Sequence, residues 1–367
     1  MQRKSVVRIA NLRRFIISII ILFSLAVLII GITYFVSSSN TLERDLSSAN
    51  ITEETQYRLL DDFYITLDGD ALSCYTYEGE LLWSKIVYSE NLILEASEKL
   101  VVIYNNKTFQ ALTTEGEYLY STDVIGTVNR LECGNNVIAA FSEIVEEDGT
   151  SENMIYFYNP TGSLFDSISF YPQIIIDFGF TESDSLWVLT NDPTGVIPVS
   201  RVITYNPGVS MTGLTTLYSE LIEKVYFSGD SMYIVSTTNL LKYDLFGQQL
   251  STNMIYDWQI KSAAFDGAED LFVAVPRAQN TDLYYTNARV LTATDYFKVN
   301  LPKSVSGLLV QNDSLYVFGG DTVYVYSNQG EYLRQYKLKN SISYIASASE
   351  NRVLVTSNGK YSFLTLP

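Results

Sequence analysis

The sequence predicts an all-β fold: a β-propeller of four-stranded blades, preceded by one N-terminal transmembrane helix. Three observations predict it. Phe15–Val36 is an apolar run without a charge; beyond residue 60 apolar and polar residues alternate in short runs; and those runs recur about every 40 residues.

The apolar run is 22 residues long. As a helix it spans roughly 33 Å, enough for a hydrocarbon core of about 30 Å. Tyr34 and Phe35 fall where an outer interface would anchor aromatic rings. Arg3, Lys4, Arg8, Arg13 and Arg14 precede the run, and no acidic residue appears before Glu43. That asymmetry places residues 1–14 in the cytoplasm and everything after Val36 outside the cell, as a single-pass protein of the cell membrane. A cleaved signal peptide is the rival reading. Its apolar region would be shorter, and Val36-Ser37-Ser38 is a poor substitute for an Ala-x-Ala cleavage site.

Residues 37–56 are rich in Ser, Thr, Asn and Glu and read as a stalk. Residues 57–367 read as the propeller. Tyr, Phe, Val, Ile and Thr dominate its short runs, and all suit a pleated surface. Eight hairpins begin near Phe63, Leu100, Val137, Leu186, Met232, Leu271, Leu315 and Val353, at spacings of 37, 37, 49, 46, 39, 44 and 38. Several short strands per period of this length mark a propeller blade. A second feature follows in register: an aromatic strand, a turn with glycine, and another strand. Glu78-Gly79-Glu80-Leu81-Leu82-Trp83 is one instance, and the turns at Gly116, Gly162, Gly247 and Gly330 are others. Glycine belongs there because the turn requires a positive φ. Eight blades is the first reading and seven the second. The first unit reads as lacking its innermost strand and the last, Ile342–Pro367, its outermost, so that the chain ends close the ring.

The Gly79–Trp83 turn resembles the quinoprotein-type (PQQ-like) propeller repeat. The layout of residues 57–367 resembles membrane-anchored propellers of Gram-positive bacteria grouped as a domain of unknown function. In quinoprotein repeats a Trp sits four residues after the Gly. Here those positions hold Trp83, Tyr120, Asp166, Ser251 and Arg334, so four of five depart. No residue carries over as a quinone or calcium ligand, and the resemblance implies architecture alone.

Composition bounds the chemistry. Histidine is absent, which removes Ser/His/Asp and Cys/His catalysis and His-ligated zinc. Apart from the five N-terminal cations, 19 basic residues face 41 acidic ones, a net charge of −22. A domain that acidic repels nucleic acid. Cys74 and Cys133 read as buried strand thiols, with a disulfide as the alternative. Asp68-Gly69-Asp70 and Asp266–Asp270 read as turns rather than calcium sites. No metal and no cofactor is expected.

Three connections between second and third strands look long: Glu143–Asn153, Asn191–Ser200 and Pro276–Ala288. In a four-stranded blade such turns emerge on one face, and long loops on a rigid scaffold favour binding. The candidate binding residues are Glu146, Glu147, Asp148, Asp192, Arg277, Tyr284, Tyr285 and Arg289. The expected function is a non-catalytic binding or scaffolding module for a cell-envelope protein or wall component. The alternative is a glycan-acting enzyme with carboxylates in the propeller funnel.

Overall fold

A computed structural model describes residues 23–30, 46–145, 149, 151–277, 285–292, 294–349 and 351–367. It contains eight four-stranded antiparallel sheets, so the ring has eight blades. In blades one to seven the strands run in sequence order from the innermost to the outermost. Blade one is Gln56–Leu59, Phe63–Asp68, Ala71–Thr76 and Leu81–Ile86. The eight predicted hairpins coincide with the second strands, from Phe63–Asp68 round to Arg352–Ser357.

The core is not one mass but eight wedges, one at each blade interface. Leu100, Val102 and Tyr104 of blade two pack with Ile138 and Ala140 of blade three. Val101 and Ile103, on the other side of the same strand, pack with Ile65 and Leu72 of blade one. The side-chain period of two therefore serves both neighbours at once, and Leu100–Tyr104 is buried throughout. Full burial of such a side chain contributes about 1.5–3 kcal/mol. The outermost strands have only one neighbour, and Leu81–Ile86 is almost wholly exposed.

Two ends of the chain differ from the sequence reading. Blade one does not lack its innermost strand: Gln56–Leu59 pairs with Phe63–Asp68. Its polar look hid it. Gln56 bonds Leu92 O and Leu94 N of blade two, and Arg58 bonds Glu95, so those side chains join neighbouring blades rather than meeting solvent. The missing strand of blade eight is Leu46–Ser48, which pairs with Lys360–Thr365 and lies within the segment read as stalk. The ring closes there over Tyr64, Tyr77 and Phe363, with Phe363 4.8 Å from Tyr77 and 5.0 Å from Tyr64 between ring centroids.

The five repeated turns are alike in detail. Gly79, Gly116, Gly162, Gly247 and Gly330 all hold positive φ, from 79° to 91°. In each the glycine N–H donates to the carbonyl three residues back, at Thr76, Thr113, Asn159, Asp244 and Ser327. The side-chain oxygen of that same residue accepts from the N–H after the glycine.

Among the described residues no helix is long and apolar enough to cross a membrane. Residues 23–30, within the Phe15–Val36 run, form a helix with Phe23, Leu25 and Leu28 exposed; the rest of the run lies outside the described residues. Cys74 and Cys133 are free thiols in different blades, and burial pushes Cys74 up to about 12.

Candidate functional site on the distal face and the central channel

The blade topology gives the ring two unlike faces. One carries the turns joining first to second and third to fourth strands. Leu46 pairs with Leu364 near the end of a third strand, so the chain enters the propeller on this face. It is termed proximal here. The distal face carries the second-to-third turns and the crossovers between blades.

The proximal face is acidic. Its turns hold Asp61, Asp62, Glu98, Glu115, Glu117 and Asp313, among others, while Arg352 is paired with Glu78 at 2.6 Å. The distal face is different. On blades three to five it exposes several large apolar side chains, Tyr171 at 68 %, Tyr218 at 71 %, and Val145, Val196, Ile197 and Tyr256, whereas the proximal turns of blades four and five expose Val209 and Phe246. On blades six to eight the exposed distal residues include Lys303, Lys337 and Lys360 instead.

The long connections lie on the distal face, but two are shorter than expected. The hairpin of blade three continues through the pairs Glu143↔Asn153 and Val145↔Ser151. That of blade four continues through Asn191↔Ser200 and Asp192↔Val199. Favourable cross-strand pairing extended the ladders into segments that read as loop. Glu146, Glu147, Asp148 and Tyr284 lie outside the described residues.

The other candidates are placed as follows. Asp192 accepts from both terminal nitrogens of Arg201 at 3.1 Å and from Thr194, whose hydroxyl and N–H hold its carboxyl below the usual range. Arg277 pairs with Glu223 at 2.6 Å. Tyr285 lies beside Lys261, whose Nζ is 5.8 Å from the ring centroid. The Arg289 guanidinium is sandwiched between Trp258 at 4.1 Å and Tyr296 at 4.4 Å, so its cation braces blade six. Arg277 and Tyr285 thus both belong to blade six, with Arg277 tied to Glu223 of blade five. Asp192, in blade four, stands apart from them.

Sequence reasoning missed the charges on the innermost strands. Arg58 grips Glu95 through Nε–Oε2 at 2.9 Å and a second bond to Oε1. Arg130 donates to Glu132 Oε1 at 2.8 Å and to Asp177 Oδ1. These pairs join blade one to blade two and blade three to blade four. Burial pushes Glu132 up to about 7, with the Glu95 charge adding and Arg130 and Arg58 opposing. On the other side a channel of about 450 Å³ is lined by innermost strands of blades five to eight, and Lys224 and Lys261 project into it. The available signal was one or two charges inside the short runs before six of the predicted hairpins, as in Ile222-Glu223-Lys224-Val225. Among the described residues no group of three or more metal-type side chains comes together.

A family model described as a family of unknown function, DUF5711, matches residues 36–366, and the chain belongs to that family. No curated protein matches it. Among solved structures, the WD40 domain of SCAP from fission yeast is similar at TM-score 0.56 and 10% identity, covering 87% of this chain and 97% of that one. A eukaryotic initiation factor is similar at TM-score 0.53 and 12% identity, covering 80% and 91%. BamB from Moraxella catarrhalis aligns at TM-score 0.49 and 12% identity, covering 88% and 100%. At these identities the likeness is one of fold.

Proposed function

We propose that this member of the DUF5711 family is a membrane-anchored, extracytoplasmic binding or scaffolding module that docks a cell-envelope protein or wall component on its distal face. The observation that carries the reading is the exposed apolar group at the distal ends of blades three to five, around Tyr171, Val196, Ile197 and Tyr218. Several large exposed apolar side chains on one face of an otherwise strongly charged domain favour an interaction surface there.

The chain direction supports the same reading. An anchor at Phe15–Val36 is joined through residues 37–45 to Leu46, which begins on the proximal face. Nine residues span at most about 32 Å, so the propeller stands close to the bilayer with its distal face turned outward. The acidic proximal face then faces the lipid head groups and is repelled by anionic ones, which keeps the ring from lying down on the membrane.

For the enzyme alternative, the carboxylates that line the channel are Asp61 and Asp266, on turns of blades one and six. Glu95, Glu132 and Asp177 each accept from an arginine, and none of them lines the open channel. The test is topological and biochemical. Protease added to intact cells is expected to remove the propeller, and the full chain purified from its own membranes is expected to bring down an envelope component. Protection of the residues beyond 60 from external protease contradicts the reading.

A further inference from the structure

The two ends of the central channel carry opposite chemistry. In its distal half Lys224 and Lys261 project from the innermost strands of adjacent blades. Lys224 Nζ lies 4.8 Å from the centroid of Tyr226, and Lys261 rests against Tyr285. Neither forms an ion pair among the described residues, whereas the arginines of the innermost strands, Arg58 and Arg130, both do. Two ammonium groups without an ion pair in one channel are unexpected in a chain with 41 acidic residues and 24 basic ones.

At the proximal end the lining groups are acceptors. Asp61 and Asp266 stand at the turns that follow the innermost strands of blades one and six. Gln311, the last residue of the innermost strand of blade seven, is only 4% exposed. Its Nε2 donates to Ser349 O at 2.5 Å, which fixes the amide orientation. Its Oε1 is then left buried without a hydrogen-bond partner. A buried acceptor left unmet is destabilising, so this end of the channel is short of hydrogen-bond donors.

We propose that this channel binds a short zwitterionic peptide, with its carboxylate at Lys224 and Lys261 and its ammonium toward Asp61 and Asp266. Length sets the size. Asp266 follows Lys261 by five residues, up to about 17 Å at extended-strand rise. A chain of three or four residues covers roughly 10–14 Å, and the lysine side chain spans the remainder. A channel of about 450 Å³ has room for it. The opposite ends also discriminate. A simple anion meets the lysines but is repelled by Asp61 and Asp266, and a neutral sugar gains from neither charge. An extended peptide presents both charges at once. Low-dielectric walls strengthen both contacts over their value in open water. This inference stands apart from the distal-face reading, since the channel and the apolar group involve different residues.

The probe is trialanine, titrated calorimetrically into the full chain at low ionic strength. It is compared with N-acetyl-trialanine, trialanine amide and glucuronate. Trialanine is expected to bind, and each terminal cap is expected to weaken it at least tenfold, as is the Lys224→Gln/Lys261→Gln pair. Lys224→Arg is expected to retain binding, and unchanged unfolding midpoints show that the variants fold. Equal binding of the capped peptides overturns the proposal. So do glucuronate binding as tightly as trialanine, unchanged binding by the double lysine variant, and no binding at millimolar peptide.

Discussion

The indole of Trp83 lies flat on Gly116 of the next blade: a Cβ added to Gly116 would fall 2.7 Å from Trp83 Cδ2. Trp83 Nε1 also donates to Thr114 O at 2.8 Å. The outermost strand of one blade therefore clamps the third-to-fourth turn of its neighbour, and glycine is required twice over, for its φ of +81° and for the space.

Gly116→Ala is expected to cost roughly 2–4 kcal/mol, adding overpacking to backbone strain. Gly359 provides the control. Its φ is +74°, but a Cβ there meets nothing within 4 Å, so Gly359→Ala is expected to cost only about 1 kcal/mol. Denaturant unfolding of both variants checks this. Equal losses contradict the clamp.

The clamp also shows why the repeat was only partly legible. Trp83 is the single tryptophan at its position, so Tyr120 and Asp166 looked like departures from the pattern. They do the same work with other atoms. Tyr120 lies on Gly162 and donates to Asn159 O at 3.0 Å. Asp166 Oδ2 accepts from Gly208 N–H at 2.7 Å and from the Tyr205 hydroxyl at 2.6 Å. The second strands were legible because both of their faces are buried, and the turns because glycine alone suits their φ. Gln56–Leu59 was not, since polar side chains that bond a neighbouring blade look like solvated ones. Leu46–Ser48 is three residues long, too short for any alternation to appear. Lys224 and Lys261 are 37 residues apart, and only closure of the ring brings them into one channel.

Ring closure gives a second prediction. Leu46 packs against the core between blades seven and eight, and Ser47 Oγ donates to Tyr77 O at 2.5 Å. A chain beginning at Ala49 loses these contacts, about 2–3 kcal/mol together. It also bares the edge of Lys360–Thr365, a template for pairing with another chain. Lower unfolding midpoints and new oligomers in sizing chromatography are expected; a monomer of unchanged stability contradicts the closure.

Glu132 gives the pH dependence. Burial raises its carboxyl from 4.5 to about 7, so the folded state favours the protonated form. Its contribution to stability is complete below the unfolded value of 4.5 and is lost as pH rises through 7. Unfolding free energy is therefore expected to fall by roughly 1–3 kcal/mol between about pH 5 and pH 8 on this account. Glu132→Gln, neutral throughout, should flatten that slope. A slope that survives in urea titrations of the variant assigns it to other groups.

The distal docking face is tested most directly by capture from the protein's own membranes. The bait is the full chain carrying Tyr171→Ser, Val196→Ser, Ile197→Ser and Tyr218→Ser, compared with the unaltered chain and with a proximal variant, Glu115→Gln/Glu117→Gln. All of these side chains are exposed, so little stability is lost, and matched unfolding curves verify that. The captured partner is expected to fall at least tenfold with the distal variant and to persist with the proximal one. Full capture by the distal variant, or loss confined to the proximal one, contradicts the account.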